Sequence, residues 1–82
     1  MILFRGTSKK KCESYKKKGI PIGENFTNRL KEAKRFGNCV ISIDINNKNL
    51  IPSTQENEAH KLVKINIRYY KNKKAIKKFK IK

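Results

Sequence analysis

The chain reads as a small α+β domain: a mixed or antiparallel sheet of about four to five strands, with two short helices. Three observations predict this. Apolar residues run together at Ile2-Leu3-Phe4 and alternate with polar ones over 38–45 and 60–70, the patterns of buried and half-buried strands. Two charged stretches each follow a hydroxyl or amide side chain and end at a glycine, which is how helices begin and stop. The 82 residues allow one domain, 1–82, with a thin core.

Met1 to Arg5 is nearly all apolar and is expected to be a central strand. Ser8 suits a helix N-cap, its hydroxyl accepting from an orphan N–H of the first turn. Lys9 to Lys18 then forms a helix that Gly19 terminates, with Cys12 and Tyr15 sharing its apolar face. Gly19-Ile20-Pro21-Ile22-Gly23 is a loop in which both isoleucines can be buried. Glu24 to Thr27 suits a short strand. Thr27 or Asn28 caps a second helix, Asn28 to Phe36, with Leu30, Ala33 and Phe36 as its stripe and Gly37 as its stop.

Asn38 to Ile45 is the clearest strand. Val40, Ser42 and Asp44 take one face; Cys39, Ile41, Ile43 and Ile45 take the other. Asn46-Asn47-Lys48-Asn49 is turn chemistry. Leu50-Ile51-Pro52 packs before a polar loop, Ser53 to Asn57. His60 to Tyr70 is a further strand, with Val63, Ile65, Ile67 and Tyr69 facing the core. Ala75 to Lys82 is either an edge strand guarded by lysines or a short amphipathic helix.

The charge is lopsided, with 22 Lys and Arg against 6 Asp and Glu, formally +16. That balance favours polyanionic partners: nucleic acid or an acidic protein first, an anionic membrane surface second. It is equally what a solvated lysine face gives in a small Lys- and Asn-rich protein of an AT-rich genome, such as a virus or phage. Cys12 and Cys39 match no metal spacing and can pair, but one pair alone argues weakly for secretion. With no signal-type segment and no long apolar span, the expectation is a soluble, cytoplasmic protein without a metal.

Catalytic residue types are few. His60, the single histidine, falls on the polar side of its strand. Glu13, Glu24 and Glu32 lie among lysines and are expected to be surface salt partners of little weight. Glu56-Asn57-Glu58 differs, because carboxylates two apart at the start of a strand point the same way. Arg5-Gly6-Thr7-Ser8 differs too, placing an Arg and a Gly at a strand end in a chain that mostly uses Lys.

Taken in order, Arg5-Gly6-Thr7-Ser8, then Phe26-Thr27, then Val40 to Ile43, then Glu56-Asn57-Glu58, the chain resembles the small ADP-ribosyltransferase-like fold. That family carries Arg, Ser-Thr-Ser and Glu-x-Glu motifs in this order. The resemblance implies NAD as substrate, with Arg5 on its phosphate and ribose side. It implies Gly6, beside Thr7, at the nicotinamide amide, and Thr27 supporting the catalytic carboxylate. Glu58 would stabilise an oxocarbenium-like transition state, with Glu56 orienting the acceptor. Tyr15 and Phe36 are candidates to clamp the nicotinamide. The same fold in tRNA 2′-phosphotransferases relies on Arg and His, against which Glu58 argues. The physics is coherent: a preorganised carboxylate lowers the barrier to a developing cation, and an Arg fork suits a diphosphate.

The alternative is a non-enzymatic nucleic-acid binder, or an inactive scaffold of the same fold. Lys64, Arg68 and Lys78 would then neutralise phosphates and Tyr70 would stack on exposed bases, while Tyr69 packs in the core.

Overall fold

A computed structural model describes residues 1–53 and 67–82. In chain order these form β1 (Ile2–Thr7), α1 (Lys9–Lys18), β2 (Asn25–Thr27), α2 (Leu30–Lys34) and β3 (Cys39–Asp44). A 3-10 turn (Asn47–Asn49), β4 (Leu50–Pro52), β5 (Tyr69–Asn72) and β6 (Lys80–Ile81) follow. Among the described residues, six strands make one antiparallel sheet ordered β4-β5-β2-β1-β3-β6. The α+β class and the two helices match the expectation. The sheet is wider than expected because Leu50–Pro52 is a true strand, paired with β5.

The register assigns the faces. Leu3, Arg5 and Thr7 lie opposite Ile43, Ile41 and Cys39, so these six side chains share one face. α1 packs there, through Cys12 bonded to Cys39 and Tyr15 bonded to Arg5. The core on this side joins Leu3, Cys12, Tyr15, Ile20, Phe26, Ile41, Ile43 and Leu50. Phe4 and Gly6 point to the opposite face, where α2 lies. The helices therefore sandwich the sheet.

α1 follows its local signals closely. The Ser8 hydroxyl accepts from the Lys11 N–H at 3.1 Å, and Gly19 ends the helix at φ 80°, its N–H donating to the Tyr15 carbonyl at 2.7 Å. α2 is shorter than the expected span of 28–36. Asn28 is drawn away to β5, its Oδ1 accepting from the Arg68 N–H, and Arg29 makes no side-chain cap. Ile20 is buried as expected, but Ile22 stands 66% exposed in its loop. Of the strand expected over 60–70, only the last residues are described, and β5 runs on to Asn72. The tail resolves as the edge strand β6, pairing with β3.

Two glycines fix how closely α2 approaches. A Cβ on Gly6 would lie 1.6 Å from the Ala33 carbonyl oxygen, and one on Gly37 would lie 2.3 Å from the Thr7 oxygen. Only a residue without a side chain lets the helix lie against the end of β1.

Among the described residues, no helix is long and apolar enough to cross a membrane.

Candidate functional site

β1 and β2 pair only where Phe4 faces Thr27. Beyond that point the strands part, and a cleft of about 270 Å³ opens between them. Its walls include Arg5, Gly6 and Thr7 from β1, and Glu24, Asn25 and Thr27 from the β2 side. Phe36 and Tyr69 line it as well, with the ring centroids 6.3 Å apart and the planes at 86°. Edge-to-face rings of this kind make a rigid apolar wall.

Five residues singled out from the sequence thus meet: Arg5, Gly6, Thr7, Thr27 and Phe36. They come from separate stretches and converge because α2 folds back against β1 at Gly6. Glu56, Glu58 and Lys64 lie outside the described residues.

Arg5 bridges the parted strands. Its Nη1 donates to the Asn25 carbonyl at 3.1 Å, in place of a ladder hydrogen bond. Its Nε donates to the Tyr15 hydroxyl at 3.2 Å, and its Nη2 stands 3.1 Å from Glu24 Oε2. An arginine has five N–H groups, so two of them have no partner among the described residues.

Several expected roles change. Tyr15 is 3% exposed beneath α1 and cannot clamp a ring in the cleft; it holds Arg5 instead. Thr27 Oγ1 accepts from the Arg29 N–H at 3.3 Å, so its hydroxyl helps start α2. Gly6 is required by α2 packing whatever the cleft binds. Of the three acids expected on the surface, only Glu13 is one, paired with Lys16 and 55% exposed. Glu24 sits in the cleft wall. Glu32 is 4% exposed, accepting from the Tyr69 hydroxyl at 2.5 Å and from Arg35 at 3.0 Å. Position in the fold buries Glu32 and half-buries Glu24, and their neighbours in sequence give no sign of it.

Of the described residues expected at nucleic acid, Arg68 and Lys78 lie far apart. Arg68 precedes β5 and Lys78 precedes β6, with β2, β1 and β3 between those strands, a span of about 19 Å at normal strand spacing. Tyr70 is half-buried and packs against the core. Tyr69 is buried, as expected.

Among the described residues, no group of three His, Cys, Asp or Glu side chains is placed to hold a metal ion. Compared with known protein families, with curated proteins and with solved structures, the chain matches none.

Proposed function

We propose that the β1–β2 cleft binds the nicotinamide-riboside end of NAD and that the protein transfers ADP-ribose to an acidic or nucleic-acid acceptor. The observation that carries this reading is the meeting of Arg5, Gly6, Thr7, Thr27 and Phe36 in one cleft. The order of motifs along the chain led to four of those five residues as a set. The cleft's size is consistent with the reading. At about 270 Å³ it falls just below the usual range for whole drug-sized ligands, which suits one ring and one sugar.

Each residue then has a physical task. Arg5, fixed by Tyr15 and Asn25, offers its remaining donors to a phosphate oxygen. The Phe36–Tyr69 pair supplies an apolar wall for a flat ring. The end of β1, unpaired on the cleft side beyond Phe4, offers backbone polar groups to a carboxamide. NAD itself would supply the leaving nicotinamide and the electrophilic sugar carbon. Glu58 is the acid that the resemblance implies for stabilising charge on that sugar. The net charge of +16 steers anionic acceptors toward the protein.

Isothermal titration with NAD tests the reading, followed by an assay for released nicotinamide. Binding should be saturable, and Arg5→Lys should weaken it about tenfold, since lysine lacks the planar fork. Glu58→Gln should keep binding and lose nicotinamide release. Absence of NAD binding, or turnover unchanged by Glu58→Gln, contradicts the proposal.

A further inference from the structure

Glu24 has a position that the cleft alone does not explain. Its Oε2 pairs with Arg5 at 3.1 Å, while its Oε1 lies 3.8 Å from the Lys11 ammonium. The Glu24 side chain is 18% exposed, and its carboxylate faces both cations. It lines the β1–β2 cleft and also a second pocket of about 450 Å³ along α1. That pocket has an apolar floor of Tyr15, Ile20, Pro21 and Ala75 under a rim that includes Lys10, Lys11 and Lys18. A mostly apolar cavity of this size with basic groups at its mouth fits an anion carrying a flat body. The Glu24 N–H donates to Asn72 Oδ1 at 2.9 Å, so the backbone is held and a competing anion has only the side chain to displace.

We propose that Glu24 stands where a ligand's phosphate binds, and that the α1 pocket receives the nucleoside attached to that phosphate. The site is thus the Arg5–Lys11 cation pair plus the α1 pocket, and its ligand class is a nucleoside phosphate. Glu24 acts as a built-in competitor: the phosphate must displace it from both cations. The inference rests on the nucleotide reading of the cleft, because Glu24, the partner of Arg5, lines both pockets. With it, the cleft and the α1 pocket hold the two ends of one dinucleotide, and neither needs the volume for all of it.

AMP is the probe, because it lacks nicotinamide and tests the α1 pocket alone. Titration of the full chain should give weak binding, tightened about tenfold by Glu24→Gln. Glu13→Gln removes the same charge from an exposed place on α1 and should change affinity less than twofold. Lys11→Gln, at an exposed position that tolerates substitution, should weaken AMP about fivefold. Equal tightening by Glu24→Gln and Glu13→Gln would mean general charge attraction and would overturn the proposal. So would failure of AMP to bind any of the variants, even where nicotinamide mononucleotide binds and the cleft reading stands. AMP binding that responds to Glu24 and Lys11, with no nicotinamide release from NAD, would support this site and reject the transferase reading alone.

Discussion

Asn72 shows how much one side chain can decide. It is 1% exposed, and its Nδ2 donates to the Pro21 carbonyl at 2.9 Å and to the Lys74 carbonyl at 2.7 Å. Its Oδ1 accepts from the Glu24 N–H at 2.9 Å. The loop that presents Glu24 is therefore pinned to β5. Asn72→Leu keeps the volume but orphans two carbonyls and an N–H, a cost of about 3 kcal/mol. Thermal unfolding should show a fall in Tm of more than about 10 °C, given the scaling for a domain of this size. Gly6→Ala should cost at least as much, because its Cβ meets the Ala33 carbonyl and α2 must move. Urea unfolding measures that loss. Nothing local in the sequence marks Asn72, since its partners lie in segments that come together only in the sheet.

At the scale of elements, the contrast is between α1 and β4. α1 was legible to the residue because its signals are local: a serine cap, lysines on the wet side and a glycine stop. β4 has no such local signal, because three residues carry no periodicity and its existence depends on β5, which comes later in the chain. α2 is shorter than its sequence pattern for a related reason, Asn28 bonding to the distant Arg68 backbone instead of its own helix. The cleft was half legible. Arg5 and Thr27 stood out by type and order, whereas Glu24, Asn25 and Tyr69 belong to it only through strand pairing. Two element-scale outcomes follow. Ser8→Ala should destabilise by about 1 kcal/mol in chemical denaturation, the usual worth of such a cap. The Cys12–Cys39 bond ties α1 to β3 across a separation of 27 residues. Replacing both with serine should cost about 3.5 kcal/mol on the loop-entropy account, and unfolding in the presence of a reductant should give a similar loss for the unaltered chain.

Over the whole molecule, charge is the dominant unexplained expense, with a formal +16 on 82 residues. The ion pairs of Met1, Lys11, Lys16 and Arg35 each have at least one exposed partner, so salt should relieve more repulsion than it removes attraction. Tm should rise as sodium chloride increases from about 20 mM to about 500 mM, where the Debye length shrinks to a few ångströms. A steady fall would show that ion pairs outweigh repulsion. The central claim is that the parting of β1 and β2 makes a nicotinamide-nucleotide site around Arg5. The most direct measurement is a backbone amide NMR titration with NAD on the full chain. Saturable shifts are expected, concentrated at Arg5, Gly6, Thr7, Asn25, Thr27 and Phe36 and reduced in Arg5→Lys at the same concentration, as an about tenfold weaker affinity requires. Shifts scattered over the lysines of the tail with none in the cleft, or no shifts at all, would contradict it.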